Sequence, residues 1–246
     1  MEGPSLVILR QELKPFIGKR VIAASGYAPI DPESFAGKRL VWAKTWGKHF
    51  IMKVGTCVFR THFLLWGSYR INEQKDRKPT LHLAFDEGEV NFYSSSIKPI
   101  DAPLETLYDW RVDVMSRKWD ANYVESLVRA RPNRMVSDVL LDQSIFAGVG
   151  NIIKNEVLYR LRLYPERRIR TLSDEEIREL VRDAHTYSHL FYRWKKKYVL
   201  RKHWLVYHRG TCANCGGKLK AAKMGEGERY TYYCPVCQPK RRRVVG

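Results

Sequence analysis

The sequence predicts an α+β chain, and three observations carry that expectation. From residue 20 to about residue 99, short runs alternate apolar and polar positions and are separated by turn residues. Beyond about residue 118 the apolar positions recur at helical spacing instead. The segment at about 209–238 holds four of the five cysteines as two Cys-x-x-Cys pairs, with Cys57 standing apart. At 246 residues the chain can bury a sizeable core as two domains or one large one.

The chain opens Met1-Glu2-Gly3-Pro4. A chain's α-amino group titrates near pH 7.7–8, so at neutral pH a useful fraction is free-base nucleophile. Glu2 places a carboxyl beside it for proton transfer, Gly3 permits close approach, and Pro4 suits the start of a helix. Leu6, Leu9, Leu13 and Phe16 keep helical spacing, which predicts an amphipathic helix ending near Pro15 or Gly18. Its positive N-terminal end would favour the neutral amine and attract phosphate. Strands are expected over residues 21–24, 40–45, 49–54, 57–63, 81–85 and 90–93, with Asp86-Glu87-Gly88 turning between the last two. Antiparallel strands at this spacing suggest a sandwich or a barrel.

In the helical half, Asp120 is placed to cap a helix with Val124, Leu127 and Val128 on one face. Ser137 is expected to cap a second helix running to Phe146, and a third follows Gly148-Val149-Gly150-Asn151. Ser173 and Glu176 form a capping box ahead of Ile177, Leu180, Val181, Ala184 and Phe191. Residues 193–202 are basic, with Trp194 and Tyr198 interleaved.

Composition narrows the partner. Lys and Arg total 44 against 26 Asp and Glu, a net charge of +18. With a pI near 9.8 this points to a polyanion, nucleic acid before anionic membrane. No apolar run approaches the ~18–20 residues of a membrane span, and no basic-then-apolar leader is present. A cytoplasmic protein is therefore expected, with no membrane partner. The run Lys240-Arg241-Arg242-Arg243 reads as a phosphate-seeking tail.

Three constellations carry chemistry. The spacing C-x2-C-x18-C-x2-C, as Cys212, Cys215, Cys234 and Cys237, gives four thiolates and no open position, hence a structural zinc site. Tyr230, Tyr232 and Tyr233 alternate with Thr231 as in one strand of a small hairpin, which would present Arg229 to a groove. The run Leu140-Leu141-Asp142-Gln143 through Gly148-Val149-Gly150-Asn151 puts a tight turn before a helix N-terminus, a phosphate site with Asn151 as an added donor. Taken alone it also suits a plain connector between helices. In Trp46-Gly47-Lys48-His49, Lys48 sits at a strand connection where it can hold a phosphate. Leu64, Leu65 and Trp66 either belong to the core or fill the space left by a displaced base.

Together, Glu-Gly-Pro at the start, Trp46-Gly47-Lys48-His49, the Leu-Leu-Asp-Gln…Gly-Val-Gly-Asn run and Arg229 ahead of Tyr232-Tyr233-Cys234-Pro235-Val236-Cys237-Gln238 occur in one order. The chain resembles the formamidopyrimidine-DNA glycosylase/endonuclease VIII family over essentially its whole length. The resemblance implies an N-terminal β-sandwich catalytic domain (1–118), a helix–two-turn–helix DNA-binding domain (119–208), a zinc-finger hairpin (209–238) and a basic tail (239–246). It implies a monomer that clamps double-stranded DNA containing a damaged base or abasic site between its domains. The N-terminal amine of Met1 would attack C1′, Glu2 would act as general acid/base, and strand cleavage would follow by β,δ-elimination. Lys48, Asn151 and Arg229 match the family's phosphate-binding residues, and Leu64, Leu65 and Trp66 occupy its intercalating loop. Phe92-Tyr93-Ser94-Ser95-Ser96 looks like the endonuclease VIII branch, where the other branch has Asp-x-Arg-Arg-Phe-Gly; this favours oxidised pyrimidines. Two departures stand out. The family usually begins Met-Pro-Glu and uses the proline amine, whereas Glu2 here follows Met1 directly and should leave it in place. Ser5 stands where many members carry a second Glu. A non-catalytic binder of damaged or abasic DNA is the alternative.

Overall fold

The computed structural model describes residues 1–240, so the expected tail lies, from residue 241 on, outside the described residues. The chain divides into two compact units, Met1–Asp109 and a second beginning at Trp110.

The first unit begins with α1 (Gly3–Glu12), whose first turn contains Pro4. Proline fits there because its ring fixes φ and the N–H it lacks has no helical acceptor. Glu2 stands at the N-cap with extended dihedrals (φ −96°, ψ 158°), and α1 buries Leu6 and Leu9 completely. A 3-10 turn, Lys14–Phe16, then sets the Phe16 ring 4.8 Å from that of Phe85. Six strands follow: β1 (Ala23–Gly26), β2 (Leu40–Trp46), β3 (His49–Val54), β4 (Cys57–Ile71), β5 (Leu81–Phe85) and β6 (Gly88–Pro99). They form one antiparallel sheet in the order β1-β5-β6-β4-β3-β2. The four-residue helix α2 (Leu104–Leu107) closes the unit.

The expected sandwich is made by this single sheet folding over itself. β4 and β6 continue well past residues 63 and 93, where alternation in the sequence gives out. Their pairing is interrupted between Phe63 and Ser68. On one side of the break the sheet continues through β3 and β2; on the other it continues through β5 and β1. The two halves then share a core: the rings of Phe50 on β3 and Phe92 on β6 lie 6.2 Å apart although β4 separates those strands. Phe59, Leu83, Val90 and the apolar side of α1 complete this cluster.

The second unit contains α3 (Ala121–Arg129), α4 (Val136–Leu141), α5 (Asn151–Arg160), α6 (Asp174–Lys196) and the hairpin β7 (Lys220–Met224) with β8 (Arg229–Tyr233). Asp120 caps α3 by accepting from the Tyr123 N–H. Ser137 does not cap α4: Met135 holds the N-cap, and Ser137 is buried inside the helix. Nor does α4 reach Phe146. Asp142 turns extended, and its Oδ1 accepts from the Ser144 N–H and hydroxyl, a local turn that competes with further helix. Both halves of the capping box on α6 are present, Glu176 N–H to Ser173 Oγ and Ser173 N–H to Glu176 Oε2. No helix among the described residues is long and apolar enough to cross a membrane. Replacing Ser173 by Ala leaves the Glu176 N–H without its acceptor and should lower the unfolding free energy by about 1 kcal/mol in denaturant titration.

Candidate catalytic and nucleic-acid binding groups

In the first unit the structure gathers cationic and imidazole groups at one end of the sheet. The β2–β3 connection is a two-residue turn, Gly47-Lys48, closed by the Trp46–His49 pair. Gly47 has φ +52°, a conformation that glycine adopts without strain at the first position of such turns. The Trp46 indole N–H donates to the Asp109 carbonyl at 2.9 Å, and the Trp46 ring packs against Tyr108 and His49. Lys48 is thus carried on an anchored hairpin.

Register then places His49 opposite His62 on β4, with ring centroids 5.7 Å apart and edge to face. Burial holds both imidazoles below their usual pKa, His49 down to about 4, where Arg60 and His62 add to the effect. For His62, burial acts first, then the positive charge of the chain's amino terminus; Lys48 and Arg60 press in the same direction, against a hydrogen bond with the Lys48 backbone. The structure therefore brings the Met1 amine and Lys48 to the same histidine. Glu2, next in sequence, is buried at 8 % exposure, and Ser5 beside it at 4 %. The Ser5 N–H donates to the Glu2 carbonyl at 2.9 Å, which ties residue 2 into the first turn of α1. The Arg60 guanidinium lies 3.5 Å from His49 Nε2.

Leu64, Leu65 and Trp66 do not join the core. They are 49 %, 78 % and 80 % exposed and form the break in the β4–β6 ladder. The break depends on Gly67, where a Cβ would fall 2.7 Å from Leu64 N and 2.8 Å from Ser94 O. Ser94 opposite takes φ +48° to accommodate it.

In the second unit the turn before α5 is clamped by Gln143. Its Nε2 donates to the carbonyls of Leu141 and Val149, and its Oε1 accepts from the Gly148 N–H. Gly148 has φ +101°, closed to most side chains. Asn151 is the first residue of α5, and its Nδ2 donates to the Tyr230 carbonyl of β8 at 2.9 Å. Arg229 begins β8 and is exposed, next to the Gly225–Glu228 turn. The structure thus brings Asn151 and the strand carrying Arg229 together. Glu156, fully buried, accepts from the N–H groups of Leu205, Val206 and Tyr207 and ties the segment ahead of the hairpin to α5.

The four cysteines converge, with all Sγ atoms within 4.8 Å of one another. Cys212 and Cys237 lie 3.8 Å apart and Cys215 and Cys234 3.6 Å. A tetrahedral ion with metal–sulfur bonds of about 2.3 Å holds its sulfurs about 3.8 Å apart, so the set fits a tetrahedral metal. The Tyr159 hydroxyl lies 3.1 Å from Cys212 Sγ, and Asn214 Nδ2 donates to Cys237 Sγ. Hydrogen bonds of this kind orient thiolate ligands.

A model of the formamidopyrimidine-DNA glycosylase H2TH domain matches residues 112–187. The chain is 33 % identical to Endonuclease 8-like 3 of Xenopus laevis over 238 residues, which cover 92 % of this chain and 39 % of that protein. The family is the formamidopyrimidine-DNA glycosylase/endonuclease VIII family. The chain is similar to members of it over 92 % of its length. Formamidopyrimidine-DNA glycosylase of Carboxydothermus hydrogenoformans is 24 % identical over 96 % of this chain and 99 % of its own. The fold is that of Lactococcus lactis Fpg solved with DNA containing an abasic site (TM-score 0.83, 20 % identity, 98 % of this chain and 100 % of that one). The chain thus spans about two fifths of the length of its Endonuclease 8-like 3 relative.

The sequence left His62, Arg60 and Tyr108 without a role. One signal was available: the Gly55-Thr56 turn between Val54 and Cys57 fixes the register that puts His49 opposite His62. For a buried imidazole the sign of the pH effect follows directly. The unfolded chain binds a proton near pH 6.5 that folded His49 refuses until about pH 4. Stability should therefore fall as pH drops from about 6.5 toward 4. Denaturant titrations of a His49→Phe variant should show a shallower fall over that window.

Proposed function

We propose that the chain is a bifunctional DNA glycosylase and abasic-site lyase acting on oxidised bases in double-stranded DNA, with pyrimidines preferred. The observation that carries this reading is the convergence of the Met1 amine and Lys48 on His62 beside a buried Glu2. A neutral amine can form a bond to C1′ while the base departs with the glycosidic electron pair and a proton from a nearby acid. Glu2 is placed to exchange that proton. The attached nitrogen gives up a proton, and the sugar ring then opens: C1′–O4′ breaks, O4′ takes up a proton, and the nitrogen lone pair forms the C=N bond. The imine, while protonated, is an electron sink: loss of a 2′ proton expels the 3′ phosphate, and a second elimination releases the 5′ phosphate. Because Met1 supplies a primary amine, its imine must take up a proton that a proline iminium would not need, so each elimination depends on local acidity. Cations around His62 give Lys48 phosphate company there. In the second unit Asn151 and Arg229 are assigned to phosphate, and in the first Leu64, Leu65 and Trp66 are assigned to the base's place in the stack.

The relatives' names support this reading: a mycobacterial one is a DNA-(apurinic or apyrimidinic site) lyase, and a solved neighbour holds DNA with an abasic site. Borohydride with abasic duplex should trap one covalent adduct per chain at residue 1, and Glu2→Gln should reduce its yield at least tenfold. Binding of that duplex without any adduct would make the chain a binder of damaged DNA instead. The thiolate set is assigned to zinc on donor chemistry, with Cys212, Cys215, Cys234 and Cys237 as ligands and a structural role only. Elemental analysis should find one zinc per chain, and stripping it with a mercurial should abolish DNA binding while the near-ultraviolet signal of the first unit persists.

A further inference from the structure

α5 buries a lysine. Lys154, one turn after Asn151, is 1 % exposed. Its ammonium donates to Thr231 Oγ1 at 2.8 Å. An ammonium is a donor only, so the threonine oxygen must accept here, and its own hydrogen is directed elsewhere. It goes to the Arg229 carbonyl, 3.0 Å away. The bond order Lys154 to Thr231 to Arg229 is therefore fixed by the chemistry of the donors.

Other groups hold the same hairpin at matched positions. Asn151 Nδ2 takes the Tyr230 carbonyl and Asn155 Oδ1 takes the Tyr232 N–H, so residues 230, 231 and 232 are each bound by a different side chain of α5. At the hairpin tip, Asp138 of α4 accepts from the Glu226 N–H at 3.0 Å. A Cβ at Gly225 would lie 2.2 Å from Asp138 Oδ1, so only glycine permits that approach. Arg134 bridges Asp142 and Glu226. The Asp138 carboxylate is buried in turn, and the Lys154 charge offsets part of the cost of burying it.

We infer that Lys154 is a positioning residue for DNA phosphate binding: through Thr231 it fixes the backbone from which Arg229 projects, on the helix that also carries Asn151. This rests on the proposed phosphate role of Arg229. An apolar residue at 154 would fill the space but leave the Thr231 hydroxyl free to rotate and the Arg229 carbonyl without its directed donor. A guanidinium on a loosened strand contacts phosphate less often, which shows in both affinity and its salt dependence.

The test is a double-mutant cycle on the full chain with metal bound, read as affinity for a duplex containing a tetrahydrofuran abasic analogue. Lys154→Met and Thr231→Val should each lower affinity about tenfold and reduce the log-affinity against log-salt slope by about one, the share of a single phosphate contact. In an Arg229→Ala background neither should lower it further. Zinc content and thermal unfolding are measured on every variant; if Lys154→Met does not fold, Thr231→Val decides alone, because its methyl keeps the shape. Native affinity in the folded variants, or an equal loss with and without Arg229, overturns the inference. If Arg229→Ala itself binds as the native chain does, the phosphate role of Arg229 fails, and the inference falls with it.

Discussion

A helix that buries polar side chains must find a partner for each of them, and α5 is organised by that requirement. Asn155 and Glu156 are fully buried, Lys154 nearly so, and Ile153, Val157 and Leu158, interleaved with them around the helix, are buried too. Unpaired, each such group would cost on the order of 1–3 kcal/mol, more where it is charged. Pairing them requires backbone and hydroxyl groups from elsewhere: residues 205–207 on Glu156, Tyr232 on Asn155, Thr231 on Lys154. The hairpin and the segment ahead of it are thereby bound to the helix in one register. A metal-held hairpin alone would be rigid internally yet free to pivot; these bonds remove that freedom.

The first unit solves a different problem with a similar economy of parts. One sheet provides both layers of its core, so the layers are joined by continuous hydrogen-bonded strands as well as by a connecting loop. The β2–β3 and β3–β4 turns are tight, and tight turns fix register. Register then brings Lys48, His49 and His62 to one end of the sheet, where the start of α1 also arrives. Charge gathers there because strand pairing leaves no other arrangement.

Much of this was legible in the chain. Cysteine spacing, the Ser173–Glu176 box, the Asp86-Glu87-Gly88 turn and the strands at 49–54 and 81–85 all depend on residues close in sequence, and the structure holds them as read. What failed depends on distant partners. β4 and β6 outrun their alternation because each continues only by pairing with the other. Ser137 has the chemistry of a cap, but Met135 holds that place, and the turn at Asp142 ends α4 before Phe146. α5 shows no amphipathic stripe because polar and apolar residues alternate around it, so the part played by Lys154 is invisible without β8. His62 is prominent only once the fold has put it near three positive groups.

The interruption in β4 has a consequence of its own. Its geometry is held by Gly67 and Ser94 and by main-chain sterics, while Leu64, Leu65 and Trp66 contribute little of their surface to the interior. Shape and side-chain chemistry at that tip are uncoupled. Other side chains can stand at those three positions without renegotiating the architecture beneath.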